Sequence, residues 1–299
     1  MKKIVFKGSG VAVITPFING ANIDYPALER ILNYQVENGT DAVIICGTTG
    51  ESSTLTDTEH RNAISFAVKT VAGRIPVIAG TGSNDTAYFL DLSRYAAEAG
   101  ADALLAVTPY YNKCSQSGLV KHFEYVADHV DIPMILYNVP SRTGVNIQPE
   151  TCAELAKHPN IVAIKEASGN ISQIMRTAYL CGDDLRIYSG NDDQIVPILA
   201  LGGIGVISVL ANVLPRETHS ICDLWFNGKH SESLAMQLRY HPLIEALFCD
   251  VNPIPAKEAM FMLGWCDGSL RMPLTRISGK NEDLLRRELA NAIPEALIG

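Results

Sequence analysis

The chain has 299 residues, 47% hydrophobic and 19% charged, with a formal net charge of −8. That length buries a large core, either as two ordinary domains or as one barrel-sized domain. The composition is globular, and an acidic balance with no basic stripe argues against nucleic acid as the main partner. No apolar run reaches membrane-spanning length. The opening Met1-Lys-Lys-Ile-Val-Phe-Lys-Gly8 lacks the apolar stretch of a signal peptide. Seven scattered cysteines without CxxC spacing argue against structural zinc and fit free thiols in a reducing cytosol. A cytoplasmic location is the expectation.

Short apolar runs then alternate with amphipathic stretches. Gly8-Ser-Gly10 precedes the first run, Gly10–Pro16, and a helix is expected over Tyr25–Asn38. The second run, Ala42–Cys46, leads into Gly47-Thr-Thr-Gly-Glu51 and a helix over Thr58–Val71. The third, Pro76–Ala79, leads into Gly80-Thr-Gly-Ser-Asn84 and a helix over Thr86–Ala99. The fourth, Ala103–Pro109, ends in Thr108-Pro-Tyr-Tyr-Asn112 before a helix over Gly118–Val130. The fifth, Pro133–Tyr137, opens into Tyr137-Asn-Val-Pro-Ser-Arg-Thr-Gly144, with a helix over Pro149–Lys157. The sixth, Ile161–Ile164, ends at Lys165-Glu-Ala-Ser168. The seventh, Arg186–Ser189, is followed by Gly190-Asn-Asp192. The eighth, Gly205–Val209, continues to Asn212.

Strands apolar on both faces and separated by helices imply a parallel sheet. Eight such units predict an α/β fold, a closed (β/α)8 TIM barrel, rather than an open doubly wound sheet, which wants a Gly-x-Gly-x-x-Gly after the first strand. From Leu214 the pattern is helical and broken at Pro253, Pro255 and Pro273. This predicts a barrel over 1–225 and a small helical appendage over 226–299.

In such a barrel the chemistry sits at the C-terminal ends of the strands. The side chains gathered there are hydroxyls, amides, one arginine and one lysine. A lysine at the mouth of a buried strand is costly to desolvate unless paired or functional, and its amine can attack a carbonyl to form a Schiff base; the plain alternative is an ammonium that reaches water. Gly47-Thr-Thr-Gly50 reads as a turn with helix-capping threonines, or as a nest of N–H groups for a carboxylate. Tyr137 reads as a core tyrosine or, near Lys165, as a proton carrier. Arg142 reads as a surface arginine or as a fork for a carboxylate. Glu51 and Glu166 are expected to act structurally, His60 to lie on a helix surface, Asp192-Asp193 to cap the following helix, and Gly202-Gly-Ile-Gly205 to be a helix-to-strand turn. No metal-ligand cluster and no Gly-x-Ser-x-Gly elbow is present, which rules against metal-assisted hydrolysis and serine-hydrolase chemistry.

With these residues assembled, the chain resembles the class I aldolase family of dihydrodipicolinate synthases and N-acetylneuraminate lyases over nearly its whole length. The resemblance is carried by Gly47–Glu51, Thr108–Asn112, Tyr137–Gly144, Ile164–Gly169, Gly203–Ser208 and Asn252–Lys257. It implies a Schiff base between pyruvate and Lys165, with the pyruvate carboxylate on the N–H groups of Thr48 and Thr49. It further implies a hydroxyl relay of Tyr137, Thr49 and Tyr111, the last from a neighbouring subunit. Arg142 is implied to hold the carboxylate of the second substrate, and Gly190 and Ile207 to line the pocket. The synthase branch of the family, which condenses pyruvate with aspartate semialdehyde on the diaminopimelate route to lysine, is the better match, because the sugar-acid lyases generally lack an arginine at the place of Arg142. The alternatives are a pyruvate-releasing sugar-acid aldolase and a barrel that binds a small acid without turning it over. A homotetramer built from two tight dimers is also implied. So is an inhibitor pocket for lysine matched by Ser52, His60, Asn84 and Tyr110, with Tyr88 standing where sensitive relatives often carry a glutamate and Asp57 where some carry a histidine. Losing that carboxylate leaves the inhibitor's amine unpaired, so weak or absent inhibition is expected.

Overall fold

The computed structural model describes residues 2–293; Met1 and positions 294–299 of the expected C-terminal region lie outside the described residues. Eight parallel strands close into a barrel: β1 Gly8–Ala12, β2 Ala42–Ile45, β3 Val77–Gly80, β4 Ala103–Val107, β5 Met134–Asn138, β6 Ile161–Glu166, β7 Arg186–Ser189 and β8 Gly205–Ser208. Each pairs with its neighbours in sequence, and β1 closes the ring by pairing with both β8 and β2. Helices return the chain from strand to strand: α1 Tyr25–Glu37, α2 Asp57–Val71, α3 Thr86–Glu98, α4 Gln116–Ala127, α5 Pro149–Leu155, α6 Ile171–Cys181, α7 Ile195–Ala200 and α8 Pro215–Phe226. Three more follow, α9 His230–Leu247, α10 Ile254–Met262 and α11 Lys280–Ala292. The expected barrel and its helical extension are therefore present. A small antiparallel hairpin, Phe17–Ile18 with Asn22–Ile23, was not anticipated from the sequence.

Strand alternation sorts the side chains into two cores. Ile44, Ile78, Leu105, Ile135, Tyr137, Ala163, Tyr188 and Ile207 pack inside the barrel. Val43, Ile45, Val77, Ala79, Leu104, Leu136, Ile164 and Ile187 pack outward against the helices. The alternation breaks once, in β6. Met134 pairs with Ile161 but Ile135 pairs with Ala163, so Val162 is an extra residue, a β-bulge. Val162 and Ala163 both belong to the interior core, while Ile161 and Ile164 belong to the outer one. Beyond the bulge the phase is reset and Lys165 falls on the inner face, side by side with Tyr137 on β5.

Three local expectations are corrected. Gly8-Ser-Gly10 does not precede the first strand but forms its start. Glycine carries no strand propensity, and the reason here is close packing: a Cβ on Gly205 of β8 would lie 2.0 Å from the Gly8 carbonyl oxygen. His60 is buried on the inner side of α2, with Nε2 2.8 Å from the Gly80 carbonyl oxygen, and burial lowers its pKa. Asp192 does not cap the following helix. It is buried and accepts from the N–H groups of Val209 and Leu210 at 3.0 and 2.9 Å, tying the loop after β7 to the loop after β8. The turn through Gly202 does join α7 to β8 as expected.

Helix α2 begins with a reciprocal capping box between Thr56 and Glu59. Glu59 also pairs with Arg271 from the segment between α10 and α11, and this hydrogen bond is the main reason its pKa is held down at about 2. The carboxylate is therefore favoured in the folded chain. Its stabilisation is present above the ordinary value of 4.5 and is lost as pH falls from there toward about 2. Glu59→Gln is expected to cost about 2 kcal/mol at pH 7 and progressively less as the pH falls through that window. Denaturant unfolding of both proteins from pH 7 to pH 3 measures it, and a pH-independent difference would remove the ion pair as the cause.

Candidate active site

The site is built where β5 and β6 end. Lys165 and Tyr137 are only 5% and 6% exposed. They stand within the last residues of their strands rather than after them. The register places them opposite one another, and the lysine Nζ lies 4.4 Å from the centroid of the tyrosine ring. Lys165 makes no ion pair among the described residues. The carboxyl next to it in sequence, Glu166, points to the outer face. Glu166 accepts from Asn138 Nδ2 at 3.1 Å and from the Ser168 N–H at 2.7 Å, and burial raises its pKa. It holds the end of β6, as expected, and leaves the amine alone. Asp192 feels the Lys165 charge, but burial is the larger influence and raises its pKa.

Opposite the lysine, the loop after β2 carries Thr48 and Thr49. Thr48 is half-buried and lines a cleft of about 430 Å³ together with Arg142, Tyr110 and Thr143. Thr49 is 2% exposed, and its Oγ1 accepts from Asn252 Nδ2 at 3.1 Å. Arg142 sits on a single helical turn, Pro140–Thr143, and donates from Nη2 to the Asn252 carbonyl oxygen at 3.3 Å. Among the described residues it has no carboxylate partner. The cleft is thus bordered by the Arg142 guanidinium and by the N–H-rich loop of Thr48. That arrangement suits a small substrate bearing a carboxylate.

Gly190 and Ile207 stand at the neighbouring strand ends. Ile207 is fully buried in the interior core, and the Gly190 N–H donates to the Glu166 carbonyl oxygen at 2.7 Å. A Cβ on Gly190 would meet Ala167 at 2.7 Å and that same carbonyl at 3.0 Å, so only glycine fits there.

Tyr111 is not brought into this site by its own chain. It is 92% exposed, with φ +70°, a left-handed conformation that is strained for a bulky residue. The loop is pinned in that posture by Asn84 Nδ2 donating to the Tyr110 carbonyl oxygen at 3.1 Å and Asn112 Nδ2 donating to the Asn84 carbonyl oxygen at 2.9 Å. Among the described residues no hydrogen bond joins Tyr137, Thr48, Thr49 and Tyr111 within one chain. Ser52, His60, Tyr88 and Tyr110 line the outer part of the same cleft. Tyr88 donates to Asp57 Oδ1 at 3.1 Å, and Asp57 is bonded to Arg61.

Sequence reasoning expected a structural role for Glu51, as observed, but missed the partners that brace the threonine loop through it. Glu51, two residues after Thr49, adopts a left-handed conformation and is paired with Lys257 of α10; both side chains are buried. The Arg271 N–H donates to the other Glu51 oxygen at 3.1 Å. Burial lowers the pKa of the Lys257 amine, and Glu51 opposes that shift. The available signal was a lysine and a glutamate side by side in the mostly apolar start of α10, Ile254-Pro-Ala-Lys-Glu-Ala-Met260, since a buried charge there must find a partner. Among the described residues no group of three His, Cys, Asp or Glu side chains can hold a metal ion, and no helix is long and apolar enough to cross a membrane.

A family model described as the dihydrodipicolinate synthetase family matches residues 5–292. A 4-hydroxy-tetrahydrodipicolinate synthase of Caldicellulosiruptor saccharolyticus is 57% identical over 285 residues, 95% of this chain and 96% of that protein. Among solved structures, the dihydrodipicolinate synthase of Aquifex aeolicus is similar with a TM-score of 0.95 at 46% identity, covering 98% of this chain and 100% of that one. The enzyme of Cyanidioschyzon merolae, determined with lysine bound, gives 0.94 at 42% identity over 97% and 99%.

Proposed function

The chain belongs to the dihydrodipicolinate synthetase family, and from that premise we propose that it is a lyase-class Schiff-base synthase condensing pyruvate with L-aspartate 4-semialdehyde to give 4-hydroxy-tetrahydrodipicolinate. The observation that carries the reading is the Lys165 amine: turned inward, buried, unpaired among the described residues and beside Tyr137.

Lys165 Nζ adds to C2 of pyruvate, and the carbinolamine loses water to give an imine. A proton leaves C3, and the resulting enamine carbon bonds to the aldehyde carbon of the semialdehyde, whose oxygen takes up a proton. The product's own amine then attacks the imine carbon, the bond to Lys165 breaks, and the ring closes. The N–H groups of Thr48 and Thr49 hold the pyruvate carboxylate, and Arg142 holds that of the semialdehyde. Tyr137, Thr49 and Tyr111 are the hydroxyls that move the protons, and Thr48, beside Thr49, lines the cleft. Gly190 and Ile207 line the far wall. The reaction needs no metal or organic cofactor.

The exposure and strained backbone of Tyr111 support its delivery to a neighbouring subunit, within a homotetramer of two tight dimers in the cytoplasm. We read residues 1–225 as the barrel that carries the chemistry and 226–299 as the part that braces it. Tyr88 bonds to Asp57 and brings no carboxylate of its own to an inhibitor's amine, which supports weak or absent inhibition by lysine.

The test is turnover with pyruvate and aspartate semialdehyde, coupled to a pyridine-nucleotide-dependent reductase of the product. Robust coupled turnover that millimolar lysine leaves unchanged is expected. Pyruvate release from a sugar acid, with no coupled turnover, would select the aldolase instead, and a steep loss of rate with lysine would overturn the inhibition reading.

A further inference from the structure

We propose that Asn252 is a positioning residue: its side-chain amide fixes the direction in which the Thr49 hydroxyl gives its proton, holding that hydroxyl as a donor toward the pyruvate carboxylate. The inference rests on the pyruvate site proposed above. A side-chain NH2 only donates, so when Asn252 Nδ2 meets Thr49 Oγ1 at 3.1 Å the threonine oxygen is the acceptor. The hydroxyl keeps one hydrogen of its own. No acceptor for it lies within hydrogen-bond distance among the described residues, although Thr49 is only 2% exposed. The proton is left for a ligand on the Gly47–Glu51 loop.

The same residue reaches the other carboxylate-holding group. The Asn252 carbonyl oxygen accepts from Arg142 Nη2 at 3.3 Å, so one residue spans the groups assigned to the two substrates. Asn252 is itself tightly held. It is 7% exposed and stands just before α10, whose Lys257 forms the buried pair with Glu51. Its Oδ1 is buried with no partner among the described residues. Rotating the amide so that Oδ1 faces Thr49 would make the threonine donate to Asn252 and leave its hydroxyl with nothing to give.

Asn252→Asp replaces the donor with an acceptor of the same shape, and Asn252→Ala removes it. We expect Asn252→Asp to raise the pyruvate KM by roughly 10- to 100-fold, the range for one hydrogen bond to a charged group. At saturating pyruvate, borohydride still traps the adduct on Lys165. In Asn252→Ala the main-chain contact to Arg142 survives, so the pyruvate KM rises while the semialdehyde KM moves by less than about 3-fold.

The discriminating measurement is the cycle with Thr49→Val. If Asn252 acts through the Thr49 hydroxyl, neither substitution adds more than about 2-fold to the pyruvate KM in the Thr49→Val background. A full additional effect there would mean that Asn252 acts by charge or packing, and an unchanged pyruvate KM in Asn252→Asp would mean that the amide faces the other way; either result overturns the proposal. Unfolding midpoints establish that the variants fold, and should Asn252→Asp not fold, the cycle with Asn252→Ala decides. If wild type forms no Lys165 adduct with pyruvate, the proposed function falls and this inference with it. An adduct in wild type with uncoupled variants removes the Asn252 assignment alone.

Discussion

Lys165→Ala is expected to lower kcat/KM by roughly 10⁴-fold or more, the scale seen when a covalent nucleophile is removed, and to abolish the mass added by pyruvate and borohydride. Lys165→Arg is expected to do the same, because a guanidinium does not form the imine. Stability should behave in the opposite sense. The amine is buried beside Tyr137 without an ion-pair partner among the described residues, and relieving a desolvated cation does not destabilise a fold. An unfolding midpoint equal to or above that of wild type, together with lost turnover, is the expected pair of results. Adduct formation that persists in Lys165→Ala on another lysine would move the chemistry elsewhere.

The second large effect lies at the buried ion pair behind the threonine loop. Lys257→Met, which takes the amine away from the Phe17 ring, leaves the buried Glu51 without its cation. Breaking such a pair by removing one partner costs about 3–5 kcal/mol, which lowers the unfolding midpoint by roughly 10 °C in a chain of this size. The pyruvate KM should rise as well, because Thr48 and Thr49 hang on the same turn. Glu51→Gln combined with Lys257→Met removes both charges and is expected to recover most of the loss, since an apolar or neutral replacement of a whole buried pair is often neutral. A double variant as unstable as the single one would show that the pair is packing rather than electrostatics. Calorimetry and pyruvate titrations on the three proteins decide it.

Much of this was legible in the residues alone. The helix over Tyr25–Asn38 and the strand at Arg186–Ser189 fall within a residue of the expected bounds, because their apolar spacing matches the element's period and nothing tertiary overrides it. The threonine loop, Tyr137, Arg142 and Lys165 could be placed at the ends of apolar strands from the runs before them, while the roles proposed for them came from the family resemblance. What escaped depends on distant partners. His60 looked like a surface residue because nothing nearby in sequence announces the Gly80 carbonyl it binds. Asp192 looked like a helix cap because its N–H partners lie on the next strand's loop. Asn252 and Lys257 lie some two hundred positions from the threonine loop they hold.

The bulge at Val162 has a consequence for how this strand can vary. Five strictly alternating residues from Ile161 to Lys165 would put the reactive nitrogen on the face of Ile161, in the greasy layer between sheet and helices, with every functional side chain still correctly spelled; the doubled inward pair Val162–Ala163 is what turns it inside. Along β6, then, counting matters as much as identity. Substitutions upstream of the lysine trade one shape for another, and loss of one member of the Val162–Ala163 pair leaves the lysine inward, whereas loss of Ile164, between the bulge and the lysine, exchanges inside for outside; descendants of this chain are free to explore the first kinds of change far more than the last.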